Sequence, residues 1–283
     1  MNRLSLAKRA QILSCLTEGN SIRATTRLVD VCKDTVLKLL CDVGRGCLKF
    51  HDEIARNLPC KRLEMDEIWA FCHTKDRHIR PELLGKAGIG TVYTWVAFDT
   101  DSKFIVEWLV GGRDVENAIR FVAQVFSRLS GRVQITSDGY KPYVEAVERA
   151  FGIDVDYAML VKMYRGDSPS SELERSSGCV GTQTQIVAGK PNPELISTSL
   201  VERQNLTMRM SMRRFTRKTN AFSKKIENHK FAVALHFIWY NFCRIHQSLR
   251  VTPAMEMGLS DHVWDMQELA SRALSFSENR RAA

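Results

Sequence analysis

No stretch of this sequence stays apolar for long enough to cross a bilayer: the most apolar run, Phe231 to Phe242, is too short and contains His236 and Asn241. The first ten residues carry Arg3, Lys8 and Arg9 among single leucines, so no secretory leader is expected there. Cysteine is present, but no Cys-x-x-Cys pair occurs and no histidine lies at finger spacing beside one, so neither a zinc finger nor a disulfide scaffold is expected. Acidic residues are nearly missing from one region. Between Arg203 and Arg250 only Glu227 stands against eleven lysines and arginines. A solvated helix face normally mixes signs, so this exclusion points to a phosphate-bearing partner. It accounts for the whole formal surplus of +9. A soluble cytoplasmic protein with no membrane partner is the expectation.

What is present suggests a chain of 283 residues divided into parts. Near the N-terminus, Ser5 precedes Leu6, Ile12, Leu13 and Leu16 at helical spacing, and Gly19 with Asn20 ends that run. A second short helix carries Ile22, Thr25, Thr26 and Val29, and a third is expected from about Lys33 to Cys41. Three short helices with tight turns fit a helix-turn-helix unit, with Lys33, Thr35 and Lys38 of the third helix set to meet DNA. A plain trihelical packing or dimerisation module fits the same pattern. Residues 42–60, with Gly44, Gly46 and Pro59, read as a linker with a short helix, which gives a first domain over 1–57.

The central part, 60–264, reads as an α/β domain built around Arg62 to Phe71, where apolar residues occupy both parities of a strand. Two strands joined by the turn Asp99 to Ser102 follow, then a helix capped by Asp114, a short strand ending at Asp138, a helix over 140–150 and a strand from Val155 to Val161. The expected product is a mixed five-stranded sheet: a meander of three, with the later strands added in parallel on the other side of the first. Residues 165–199, rich in Gly, Pro, Ser and Thr, read as a long loop, and 265–283 as a C-terminal tail.

In that topology Asp66 and Asp138 come to adjacent strands, about 4.8 Å apart, close enough to share divalent cations. A carboxylate on a central strand is costly unless paired, so a cation is expected beside Asp66. Glu67 has the opposite parity and is expected to point away. Beyond the loop, a helix opened by Ser199 puts Glu202, Asn205 and Arg209 on one face. Trp69 and Trp95 are expected in the core rather than as base-stacking platforms.

Asp66, Glu67, Ile68 and Trp69, then Thr136, Ser137, Asp138 and Gly139, then Val201 to Asn205 with Arg209, and finally Tyr240 to Leu249 with Thr252, Pro253 and Ala254, follow one another in an order that resembles the DDE transposases of small bacterial insertion sequences. The resemblance covers roughly 60–264. It implies a ribonuclease-H-like core preceded by the all-α helix-turn-helix domain, binding to terminal inverted repeats, and strand cleavage and transfer by Asp66, Asp138 and Glu202 with two Mg²⁺ ions, Mn²⁺ being a possible substitute. It also implies double-stranded DNA as partner, a homo-oligomer on that DNA and a nucleoid-associated location. Asn205, Arg209, Arg213, Arg214, Arg217, Lys218, Arg244 and His246 are then expected to contact DNA, with no small-molecule substrate. Some relatives carry a zinc finger ahead of the helix-turn-helix, and its ligands are missing here. A transposase-derived regulatory DNA-binding protein, or a ribonuclease-H-like nuclease that does not join strands, would share these features.

Overall fold

The computed structural model describes residues 4–86, 88–164 and 179–278. Ser5 and Ser21 cap α1 (Leu6–Thr17) and α2 (Ile22–Val29), their hydroxyls accepting from the amides of Lys8 and Ala24 at 3.2 and 3.1 Å. Asp30, at φ 51°, turns the chain into α3.

That third helix corrects the expected boundary. α3 runs from Lys33 to Ile54, 22 residues, straight through the stretch read as a linker. Its glycines do not end it. They let other helices approach: a methyl group at Gly44 would collide with Phe231, and one at Gly46 with the Ala273 carbonyl. These neighbours belong to α7 (Ile226–Phe242) and α9 (Met266–Glu278). The expected tail is therefore a helix as far as residue 278, and Lys49 of α3 donates to the carbonyl of Phe276 within it.

One continuous apolar core extends from Ile12 to Ala273, so no packing boundary falls near residue 57. The end of α3 is tied to the sheet by polar bonds as well. His51 Nε2 lies 3.0 Å from the Val106 carbonyl, and the buried Arg128 bridges Glu107 (2.7 Å) and Asp52 (3.0 Å).

The sheet has six strands in the order β3-β2-β1-β4-β5-β6. Its strands are β1 (Arg62–Cys72), β2 (Gly90–Asp99), β3 (Ile105–Gly111), β4 (Val133–Asp138), β5 (Val155–Tyr164) and β6 (Cys179–Ala188). The meander and the two parallel additions are present: β1 pairs antiparallel with β2 and parallel with β4, and β4 pairs parallel with β5. α4 (Val115–Arg128) and α5 (Pro142–Phe151) make the crossovers.

The sixth strand overturns part of the loop expected over 165–199. β6 pairs antiparallel with β5 at the sheet edge. Residues 182–186 of it are exposed, so Thr and Gln occupy both faces and leave no apolar alternation to read. Residues 165–178 of that expected loop lie outside the described residues. α6 (Ser199–Ser211) and α8 (Pro253–Glu256) complete the described helices of four residues or more.

Asn241 on α7 shows how the last part of the chain closes on the sheet. Its side-chain amide accepts from Ile105 N at 2.9 Å and donates to Ile105 O at 3.1 Å, standing in for a paired strand on the outer edge of β3. No helix among the described residues is long and apolar enough to cross a membrane.

Candidate functional site

The β1/β4 register runs from Arg62 opposite Gln134 to Met65 opposite Ser137, so the next residues on the two strands are Asp66 and Asp138. Together with Glu67 they offer carboxylate oxygens that all lie within 4.8 Å of one another. The adjacency of the two aspartates follows from strand order, as expected. The inclusion of Glu67 does not, and corrects the parity argument. A single guanidinium gathers Glu67 and Asp138: Arg113 Nε lies 3.2 Å from Glu67 Oε2, and its Nη2 lies 3.3 Å from Asp138 Oδ2. Beyond Ser137 the paired register has ended, and a long side chain can turn round the strand towards that cation.

The cation expected beside Asp66 is thus spent on its neighbours, and Asp66 is held by an amide. Asn205 Nδ2 donates to Asp66 Oδ2 at 2.8 Å. Asn205, expected at the DNA backbone, is buried with its amide on Asp66.

Glu64, two residues back on the same face of β1, is buried and accepts from the amides of Leu200 and Val201, both at 2.8 Å. It caps the first turn of α6 with a negative charge where the helix dipole favours one. The cap fixes how α6 is rotated over β1, and with it the positions of Glu202 and Asn205. Thr198, rather than Ser199, is the residue that precedes the helix.

Glu202 stands outside the tight cluster. Its Oε1 accepts from Lys162 Nζ and Thr198 Oγ1, both at 2.6 Å. Its charge still reaches the others, raising the pKa values of Asp66, Asp138 and Glu64.

Crowding of acids in a half-buried place disfavours their ionised forms. Burial first, and then the charge of Asp138, push Asp66 up to about 7. Glu67 rises to about 8 by burial and by Asp138, with Arg113 pulling the other way. Burial also raises Asp138, against the Tyr140 amide that donates to its Oδ1 at 3.0 Å and against Arg113. Three hard oxygen donors that repel one another suit Mg²⁺ or Mn²⁺, whose charge would relieve that repulsion. The buried Tyr143 hydroxyl also faces the Glu67 carboxyl and works against its raised pKa.

The expected DNA contacts do not share one place. Lys33 at the start of α3, Arg213 and Arg214 line a cleft of about 810 Å³ between the N-terminal helices and the segment after α6. Arg23, Lys224 and Lys225 join them, and no acidic residue lines it. Arg214 donates to Ser223 Oγ at 2.7 Å, and burial lowers its pKa to about 10, which leaves it charged at neutral pH. Lys38, Arg217 and Lys218 are exposed but do not line the cleft. Thr35 lies 2.9 Å from Cys32 Sγ.

Arg209 sits half-buried on α6, in the last turn. Arg244, stacked 5.6 Å from the Trp239 ring centroid, and His246, 3.0 Å from Ser248 Oγ, lie in neither the acidic cluster nor the cleft.

Four residues of the site escaped the sequence reading as members of it: Glu64, Glu67, Arg113 and Lys162. Glu64 carried a signal, since it shares parity with Asp66 in a strand that has little room for acids. Arg113 and Lys162 carried none, because only the assembled sheet brings them near.

No protein-family model and no curated protein matches the chain. Among solved structures, a piggyBac transposase synaptic complex with hairpin DNA overlaps 80% of this chain at 13% identity and a TM-score of 0.31. This chain spans 55% of that structure's length. The Mos1 strand transfer complex overlaps 83% of this chain and 78% of its own, at 12% identity and a TM-score of 0.22. Likenesses this weak carry no argument about activity.

Proposed function

We propose that this protein is a metal-dependent DNA strand-cleaving and strand-joining enzyme of the DDE transposase kind, acting on the ends of a mobile element. The observation that carries the reading is the Asp66 and Asp138 pair, side by side on β1 and β4 with oxygens within 4.8 Å. The sequence motifs around Asp66, Asp138 and Glu202 support it, as does the acid-free cationic cleft.

Asp66 and Asp138 would hold Mg²⁺ or Mn²⁺, with Glu67 as the third oxygen donor in the described arrangement and Glu202 as the alternative. When bound, such ions activate the attacking water or 3′-hydroxyl and stabilise the leaving oxygen of an in-line displacement. The chain's own groups prepare the site. Asn205 orients the Asp66 carboxylate, Glu64 anchors α6 above it, and Tyr140 N–H fixes the Asp138 carboxylate. Lys162 holds Glu202 Oε1 at 2.6 Å, and its charge also acts on Asp138. Lys33, Arg213, Arg214 and their neighbours in the cleft would take the phosphodiester backbone of a duplex, with a second copy of the chain on the paired end.

The Glu202–Lys162 ion pair also favours a second reading, a regulatory DNA-binding protein whose third carboxylate is neutralised. Asp138→Asn decides between them. On labelled element ends with Mg²⁺, wild type should cut and join, and the variant should lose at least about a hundredfold in both while keeping its DNA affinity. Cleavage by the variant within about tenfold of wild type removes Asp138 from the chemistry. A wild type that binds the ends and cuts nothing favours the regulatory reading, and one that cuts without joining is a nuclease.

A further inference from the structure

Arg113 follows the end of β3 and stands next to Asp114, the cap of α4, and its backbone is pinned on both sides. Trp95 Nε1 donates to the Gly112 carbonyl at 3.0 Å, and Asp114 Oδ1 caps α4 by accepting from Asn117 N at 2.9 Å. The side chain, about one-third exposed, is therefore the part that can move. Its guanidinium spans Glu67 Oε2 at 3.2 Å and Asp138 Oδ2 at 3.3 Å, two of the three carboxylates in the acidic cluster. The same group stacks on the Tyr140 ring, 4.0 Å from its centroid, with the Tyr93 ring at 5.8 Å. Aromatic faces stabilise a guanidinium without using its N–H donors, so Arg113 has a seat that does not depend on the acids.

We propose that Arg113 is a positioning residue that stands in for the divalent cation: it holds Glu67 and Asp138 together while the site is metal-free and yields Asp138 when a metal binds, so that guanidinium and metal compete for the same carboxylate. The inference rests on the metal-site reading above and adds a regulator to it. Three carboxyl groups packed within 4.8 Å repel one another as they ionise, and without a cation between them the site would lose the geometry that metal binding needs. One guanidinium reaches two carboxylates because it is a planar fork. An ammonium at the same place is a point charge and cannot bridge them in the same way. Once displaced, the guanidinium remains against Tyr140 and keeps positive charge at the mouth of the site.

Calorimetric titration of Mn²⁺ into the metal-stripped full-length chain, without DNA, tests this directly, alongside melting temperatures measured in chelator and in saturating Mn²⁺. Arg113→Gln should bind Mn²⁺ roughly three- to tenfold more tightly than wild type, the span expected when a partly exposed ion pair no longer competes. It should also melt lower than wild type in chelator, with the gap narrowing when Mn²⁺ is added. Arg113→Lys keeps the charge and guards against a variant that fails to fold; it should fall between the two in both measurements. Equal or weaker Mn²⁺ binding by Arg113→Gln, with wild type binding normally, overturns the competition and leaves the metal site standing. An absence of Mn²⁺ binding in all three proteins overturns the competition and the metal-site reading together.

Discussion

Midway along β1 and at the end of β4 three carboxylates offer oxygens within 4.8 Å of one another, held by Arg113 after β3, the Tyr140 amide after β4 and Asn205 on α6. In the cleft beside α3 six cations converge without an acid, on long side chains drawn from helix ends and an irregular segment. The two regions carry opposite charge, and they tolerate change differently. Half-buried acids depend on single bonds, because an unmatched carboxylate has nowhere to be hydrated. Surface cations act through their sum, because each contributes a screened attraction that its neighbours can replace.

Removal of residues 1–57 is the strongest way to break the comparison, since it asks whether the cleft is an appendage. α3 supplies Val36, Leu40, Val43 and Cys47 to the common core, all at most 1% exposed. The truncated chain should lose its cooperative melting transition altogether. A truncated chain that still melts cooperatively, with only its DNA preference changed, would restore a separable N-terminal domain.

Glu64→Ala probes the acidic side at one bond pair. It frees the amides of Leu200 and Val201, so stability should drop by about 1–2 kcal/mol, and strand cleavage should fall further than duplex binding because α6 loses its rotational anchor. Denaturant melts combined with cleavage assays read both quantities, and an equal fall in cleavage and binding would make the cap merely structural.

Acid should separate the two regions by the sign of its effect. His229 and His236 on α7 are buried, and desolvation lowers both pKa values to about 3, below the ordinary 6.5. The unfolded chain then binds more protons between those values, and the stability these rings allow is lost as pH falls below about 6.5, on the order of 1–2 kcal/mol per ring by pH 5. Asp66 runs the other way. Its folded value of about 7 exceeds the unfolded one, so its penalty is present above pH 7 and is relieved as pH falls. Amide protection factors in chelator at pH 7.5 and 5 should therefore fall in α7 and hold in β1 and β4. A uniform fall would remove the contrast.

The smallest effect belongs to single cations of the cleft. Lys225→Gln should weaken duplex binding only a fewfold and reduce the salt dependence by about one counterion. A loss of a hundredfold would make the cleft as exacting as the acidic cluster.

How much of this was readable in advance depends on what each feature rests on. Strand order placed Asp66 beside Asp138, because alternating strands and helices leave few right-handed arrangements. The length of α3 was hidden by Gly44 and Gly46, which are usually breakers and here admit Phe231 and Ala273, contacts nearly 190 and more than 220 residues distant in sequence. β6 was hidden because an exposed edge strand needs no apolar alternation. Glu67 was misplaced because parity describes a strand still paired on that side, whereas the β4 ladder stops short of it. The Arg113 bridge joins the end of β4 to the middle of β1 from the segment after β3, a relation with no local pattern.

α3 has one further consequence. Its 22 residues make a rod about 33 Å long, whose first residue, Lys33, faces the cleft and whose His51 is bonded to the carbonyl of Val106 on β3. Such a rod works as a gauge. Whatever Lys33 grips is registered against the sheet at a preset span and angle, through a helix with no kink-inducing proline along its length. Half a turn added to α3 would rotate one end against the other by about 180°, so Lys33 and His51 could not both keep their present places.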